Sequence, residues 1–453
     1  MGTVGLNFGS ATSGAGFDVA TTVTSILATQ QAIETPWKTQ LAALQAQDTV
    51  FSTLGTDLST LSTALSSLTS FDGVLAEKQG SSSNTNVLAL TSADTTAVAG
   101  SHSVVVTSLA TTASDYSDSI ATASDTLSGS VTINGHQISV VSGTSDTLQT
   151  FAQAINNAAV GVTASIVTDA NGSRLSITSN TSGAAGAITV SSSLTDSTTS
   201  TAIAFHTAQA GANAALTVDG LSVSSASNTV TGAIPGVTFQ LLSSSPGNTV
   251  QIQVTNDNTA IETSLNSFVT AYNAVIKDIS GQEKTDSTGA AEPLYGSPTL
   301  SLIQTQLQSA IFGGSASGSI NSVSQLGLTT NSDGTLSLDT SALDNALNAH
   351  FSDITGYFQN SGSFGQTLST TLSNLGNSSV KGAVALAQQQ NSTEETSLNA
   401  SITAQDALIA QQKTTLTAEL TTANQELQAI PEQLSEINQI YSAISGYNQN
   451  ITG

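Results

Sequence analysis

The strongest constraint on this chain is a change of period along it. Leu54, Leu58, Leu61, Leu65 and Leu68 recur at spacings of 4, 3, 4 and 3, the a/d seam of a coiled coil. Phe51, Leu44 and Trp37 extend the a frame backwards. Near the other end, Leu416, Leu420, Ala423, Leu427, Ile430, Leu434, Ile437, Tyr441 and Ile444 keep the same alternation, with Ile402 and Ile409 upstream. Helical stripes of this kind hold only when something covers them. Each fully buried Leu contributes about 1.5–3 kcal/mol. The two arms can cover each other within one chain, or each can meet a partner, and the periodicity is compatible with both. Proline marks a break in each arm: Pro36 divides a helix expected over 18–68, and Pro431 is expected to kink the second arm.

Between the arms the period drops to two. Val87 to Leu90 and Val104 to Val106 read as short strands. VTINGHQISV, Val131 to Val140, and LTVDGLSV, Leu216 to Val223, read as hairpins. Their Asn134-Gly135 and Asp219-Gly220 pairs suit a type I′ turn, which needs positive φ at both central residues. Asp146 is expected to cap a helix carrying Leu148, Phe151, Ala152 and Ile155. Strands over 162–167 and 174–178 turn at Asp169-Ala-Asn171-Gly172. A pairing of 236–242 with 249–254 is expected around Pro246-Gly247. Helical period returns from Thr259, with Ile261, Leu265, Phe268, Val269, Tyr272, Val275, Ile276 and Ile279. A helix over 299–311, a hairpin turn at Asp333-Gly334 and a helix from Asp339 to Phe358 follow. The segments 80–85 and 281–289 read as linkers. The fold class expected is α+β multidomain: N- and C-terminal helices pair as a coiled-coil stalk, with two β-rich head domains inserted between them.

Composition narrows the function. Only 8% of the 453 residues are charged, 31 acidic against 7 basic, for a net charge of −24. No basic stripe exists to neutralise phosphates, so nucleic acid is not an expected partner. Insertion into a membrane is not expected either, because no apolar run approaches the ~18 residues needed. The absence of cysteine removes thiolate chemistry and disulfides. The first basic residue is Lys38, and no apolar stretch follows Met1. If the protein is exported, a cleaved secretory signal is not the expected route.

Chemistry-bearing motifs are missing from the sequence. His102, His136, His206 and His350 form no close ligand pair. GSASG, Gly314 to Gly318, has Ala where a nucleophile elbow needs Ser. Gly14-Ala-Gly16 lacks the third glycine of a dinucleotide loop. Asp169 to Gly172 and Asn331 to Gly334 lack the Glu that completes a calcium loop. No catalytic residue, cofactor or metal is expected, and an assembly or binding protein is the leading class.

The order of elements resembles the flagellar filament cap family, also called hook-associated protein two. GAGFDVATTVTSIL (Gly14 to Leu27) followed by a coiled coil is similar to the family's opening, and AVAGSHSVVVTSLATTA (Ala97 to Ala113) to its first head strand. SVTINGHQISV with DTLQTFAQAIN and GVTASIV resembles the IN module, here Ile155-Asn156, which flagellins share. LTVDGLSVSSASNTVTGAIPGVTFQLLSS (Leu216 to Ser244), FVTAYNAVI (Phe268 to Ile276) and LGLTTNSDGTLSLDTSALDNAL (Leu326 to Leu347) are more specific to the caps. The resemblance implies a protein that caps the distal tip of the bacterial flagellar filament and promotes folding and insertion of exported flagellin. It implies a secreted, extracellular location at that tip and a self-assembled ring of about five subunits. Its implied partners are flagellin and the flagellar type III export apparatus with its chaperone.

On this reading, 1–40 and 395–453 are terminal helical legs that order on assembly, and 41–77 with 257–394 form the helical stalk domain. Residues 78–125 with 205–256 form a discontinuous β-rich head, and 126–204 a second head domain with the IN module. The expected assembly seam is Phe51, Leu54, Leu58, Leu61, Leu65, Leu68, Leu416, Leu420, Leu427, Ile430, Leu434, Ile437, Tyr441 and Ile444. Rival readings are another flagellar axial protein, such as a flagellin or hook–filament junction protein, and a secreted adhesin whose head binds host glycans.

Overall fold

The computed structural model describes residues 15–313, 317–376 and 379–449, without the side chains of 446–449. Most of the GSASG segment therefore lies outside the described residues. Helices are α1 (Val19–Gln31), α2 (Glu34–Thr69), α3 (Leu148–Asn157), α4 (Asn258–Gln282), α5 (Pro298–Phe312), α6 (Thr340–Gln359), α7 (Phe364–Leu375) and α8 (Ala383–Gln449). The chain divides into two compact units, Ser67–Ser264 and the residues on either side of it. Only α2 and α4 run across the division.

The unit Ser67–Ser264 is β-rich and holds two cores. The first lies between a five-stranded sheet, in the order Lys78–Ser82, Val250–Asn256, Gly100–Ser108, Ala214–Val218, Leu221–Ser225, and a three-stranded sheet of Thr229–Ile234, Val237–Leu241 and Leu88–Ala93. Val104, Val106, Leu216 and Ile252 from one sheet and Leu88, Phe239 and Leu241 from the other fill it. This arrangement corrects two expectations. Val237–Leu241 does not pair with Val250–Asn256; they belong to different sheets. Alternate residues of both strands are apolar because both face one core, which must be closed from two sides. Lys78–Ser82 is no linker either, since it pairs residue by residue with Asn256 to Ile252.

The second core packs α3 against a sheet of Phe205–Gln209, Thr112–Ser117, Gly172–Ser182 and Val162–Asp169. Phe151, Ile155, Leu175 and Ile177 are fully buried there. Thr147, not Asp146, caps α3: its hydroxyl accepts from Thr150 N, and the Thr150 hydroxyl returns the bond to the Thr147 amide. Asp146 instead accepts from Gly143 N at 2.6 Å.

Both type I′ turns form, with φ of 51° at Asn134 and 49° at Asp219. The turn residues have a second task. The Asn134 amide accepts from Thr189 N and donates to Val160 O. Asp219 accepts from Ser103 N at 2.8 Å and lies 2.8 Å from His102 Nδ1. The His102 bond and the Ser103 amide hold the Asp219 carboxyl below its usual range. Each hairpin is thus fastened to a neighbouring segment by its own turn.

Asparagine carries this role repeatedly. Asn156 of the IN pair accepts from Ala164 N (2.7 Å) and donates to Ala164 O (2.9 Å). Asn228 does the same to Ala110, and Asn273 of FVTAYNAVI to Leu336. A carboxamide presents both an N–H donor and a carbonyl acceptor, so it satisfies a backbone C=O and N–H together without burying charge.

The other unit is helical. Asp18 caps α1 by accepting from Thr21 N. The helix breaks before Pro36 rather than at it: α1 ends at Gln31, and Pro36 lies in the first turn of α2, where a missing amide costs nothing. Helix α8 continues through Pro431. Helix α7, with Phe364, Leu368, Leu372 and Leu375 buried, was not expected. Residues 281–289 are not a free linker. Helix α4 reaches Gln282, and Asp286 then accepts from Thr288 N and Ala290 N. Asn273 anchors the small hairpin Leu328–Thr330 and Leu336–Leu338, and Asp339 caps α6.

Asn156→Ala removes two hydrogen bonds to Ala164 and leaves part-buried backbone groups unpaired. It should cost about 2 kcal/mol, read as faster hydrogen exchange at the Ala164 amide with no change at the Leu336 amide.

Candidate assembly surface

The predicted seam residues lie in three environments. Phe51, Leu54, Leu58, Leu61, Leu65 and Leu68 are all buried, none more than 3% exposed. Within the helical unit, Asp57 hydrogen-bonds Asp278, and Thr63, Ala64 and Ser267 line one surface groove. These contacts set α2 antiparallel to α4. That register brings Leu54, Leu58, Leu61 and Leu65 to the levels of Ile279, Val275, Tyr272 and Phe268, which are also at most 1% exposed. In this register the upper half of the N-terminal seam has α4 beside it within the helical unit.

The second environment is the pairing of the two ends. Asp48 accepts from Asn391 Nδ2 at 2.8 Å, Gln40 donates to Glu394 at 3.0 Å, and Asn424 Oδ1 accepts from Phe17 N at 2.8 Å. As one number falls the other rises, so α1 and the lower part of α2 run antiparallel to α8. The apolar contact here is small: Val23, Leu27 and Ile409, with Val19, Leu416 and Leu420 partly buried around them. Polar groups make up the rest. At the α1/α2 break, Lys38 Nζ lies 2.7 Å from Glu34 Oε2, and that bond raises the Lys38 pKa.

The third environment is open. Leu427 and Ile430 are half-buried. Leu434 is 42% exposed, Ile437 60%, Tyr441 72% and Ile444 60%, with Ile440 at 60% beside them. These side chains form a continuous apolar stripe along α8, flanked by Glu432 and Glu436. Exposed stripes of this kind mark association surfaces.

Sequence reading missed the charged pair inside the helical unit. Burial, the hydrogen bond to Asp57 and repulsion from its carboxyl push Asp278 up to about 6. Nothing in the heptad pattern pointed to it, since Asp57 and Asp278 meet only through the helix register. The histidines also have partners. Asp118 lies 2.9 Å from His206 Nε2 and also accepts from Ala204 N. Ser319 Oγ lies 2.9 Å from His350 Nδ1 and donates to Asp353 at 2.6 Å. In that last cluster the serine hydroxyl donates to Asp353, and His350 Nδ1 stands 4.0 Å from Asp353 Oδ2. The order is wrong for a nucleophilic triad, and it fastens the 317–320 turn to α6. Among the described residues no group of three or more His, Asp or Glu could hold a metal ion, and no helix is long and apolar enough to cross a membrane.

Comparison with known proteins accords with this layout. A family model described as flagellar hook-associated protein 2 C-terminus matches residues 211–443, and one described as its N-terminus matches residues 15–113. The B-type flagellar hook-associated protein 2 of Pseudomonas aeruginosa is 32% identical over 359 residues, covering 70% of this chain and 74% of its own length. Flagellar hook-associated protein 2 of Escherichia coli K12 is 30% identical over 364 residues, covering 74% and 76%. The crystal structure of the D1-D2-D3 domains of the Escherichia coli flagellar cap protein FliD aligns with a TM-score of 0.56 at 28% identity, over 76% of this chain and 99% of that one.

Two outcomes follow. Leu58→Ala should destabilise the helical unit by about 2–5 kcal/mol, while Ile437→Ala should change it by no more than about 0.5 kcal/mol; thermal unfolding followed by helical circular dichroism separates them. The folded pKa of Asp278 lies above its unfolded value. Its contribution is therefore fully present below about pH 4 and is lost as pH rises through about 6. Asp278→Asn should flatten that part of the stability–pH curve.

Proposed function

This chain belongs to the flagellar hook-associated protein 2 family, the flagellar filament caps, and from that premise we propose how its parts divide the work. The family is a structural one that forms a homo-oligomeric cap on the filament, with flagellin beneath it at the tip. The adhesin and other axial-protein readings are not favoured.

The observation that carries the proposal is the gradient of burial along the helical arms. Where α2 faces α4, the seam is sealed. Where α1 meets α8, a few apolar side chains and single amide bonds hold the pair. Beyond Leu434 the stripe is uncovered. A cap that stays at a growing tip must grip each new site and then release it, which calls for many weak contacts in place of one dry interface. The thin lower arm and its open stripe supply these contacts, and the sealed upper stalk supplies a rigid lever. We propose that Leu434, Ile437, Tyr441 and Ile444 meet the filament end, while Phe51 to Leu68, Leu416, Leu420, Leu427 and Ile430 hold the subunit's own arms.

The domain proposal follows the same division. Legs comprise 1–40 and 395–453, the stalk 41–77 and 257–394, one head 78–125 with 205–256, and the other head 126–204. The two cores of the β-rich unit, drawn from 87–110 with 214–254 and from 120–203, support the last two assignments. We further propose secretion through the flagellar type III apparatus with a chaperone, a ring of about five subunits, no cofactor, and an assembly role without catalysis: exported flagellin folds and inserts beneath the cap.

A variant carrying Ile437→Ser, Tyr441→Ser and Ile444→Ser should fold and be exported normally. Cells carrying it should lose most of their filament length and motility and release monomeric flagellin into the medium. Filaments of ordinary length would remove the stripe from the account.

A further inference from the structure

The sequence contains two Asn-Gly pairs, Asn134-Gly135 and Asn171-Gly172, both at exposed hairpin turns. They are chemically alike and structurally different. The Asn134 carboxamide is held at both ends, its oxygen by Thr189 N at 3.1 Å and its nitrogen by Val160 O at 3.2 Å. The Asn171 carboxamide makes no hydrogen bond among the described residues. Only the Asn171 backbone is engaged, its N–H with Asp169 Oδ1 at 2.7 Å and its carbonyl with the Ser119 hydroxyl at 2.9 Å.

We propose that Asn171 is a site of spontaneous deamidation, and that the bonds on Asn134 protect the other pair. Gly172 N attacks Asn171 Cγ. The new N–Cγ bond forms as the Cγ–Nδ2 bond breaks, and ammonia leaves carrying the proton released from Gly172 N. Water then opens the five-membered imide at either carbonyl and yields aspartate or isoaspartate at position 171. Water enters, ammonia leaves, and no oxidant or cofactor takes part. Glycine at 172 favours the step because no side chain shields its nitrogen. At Asn134 the same attack must first break two hydrogen bonds and turn the amide out of its clamp.

The product matters to the hairpin. A second carboxylate is placed two residues from Asp169, in a chain already at −24. The isoaspartate form adds a backbone carbon between the strands Val162–Asp169 and Gly172–Ser182, at the point where Ser119 and Ile120 meet the turn. Exchange protection at Ser173 and Ile120, whose amides and carbonyls bond each other, should fall as the product accumulates.

The test is time-resolved peptide mapping of the full chain held folded at mildly alkaline pH and physiological temperature. Conversion of amide to acid should be at least about tenfold faster at Asn171 than at Asn134. An isoaspartyl-specific methyl-transfer assay should label the wild-type chain and not Asn171→Gln, whose longer side chain cannot close the five-membered ring. In denaturant both pairs should react at similar rates. Equal rates in the folded chain, or reaction at Asn134 alone, would overturn the proposal. So would an Asn171 that reacts only in denaturant.

Discussion

The architecture depends on how completely one apolar stripe is covered as it passes along the chain. Leu54, Leu58, Leu61 and Leu65 are at most 1% exposed, and so are Phe268, Tyr272, Val275 and Ile279 of the neighbouring α4. Each such burial contributes a few kcal/mol, so this segment is held by its own packing. The same heptad alternation continues into α8, but its last members face water. One sequence pattern therefore yields a sealed helix pair in one place and an adhesive surface in another. What differs is the supply of covering side chains.

Low charge runs through the whole design. With so few lysines and arginines, the long-range pairs described are those of His102 with Asp219 and His206 with Asp118, and surface ion pairs add little. Asparagine takes over. Asn134, Asn156, Asn228 and Asn273 each reach across sequence to bond backbone groups of another segment. The two short motifs that resemble the family, Ile155-Asn156 and the FVTAYNAVI segment, are two halves of this device: an apolar residue seated in the core beside an amide that locks a strand.

Much of this was legible in residues. The a/d spacing located both arms, and the Asn134-Gly135 and Asp219-Gly220 pairs located turns whose positive φ angles the structure shows. Periodicity could not say which stripe lies beside which, because α2 has both α4 and α8 as neighbours and only three-dimensional register brings Asp57 to Asp278 and Asp48 to Asn391. The strand pairing around Pro246-Gly247 failed for a related reason. Alternation in Val237–Leu241 and Val250–Asn256 reports a shared core and says nothing about a shared sheet. The Asp57–Asp278 pair had no sequence signature, since neither residue's neighbours distinguish it from the other acids.

The central claim is that the two ends of one chain run antiparallel as a single thin arm. The absence of native cysteine allows a direct measurement. Gln40→Cys with Glu394→Cys places thiols at residues whose side chains share a 3.0 Å hydrogen bond, and Phe17→Cys with Asn424→Cys at residues joined by a 2.8 Å bond from the Phe17 amide to Asn424 Oδ1. A short bis-maleimide added to dilute protein should link each pair within one chain and leave the mismatched pair Gln40→Cys with Asn424→Cys unlinked. Failure of both matched pairs, or links formed only between chains, would contradict the account.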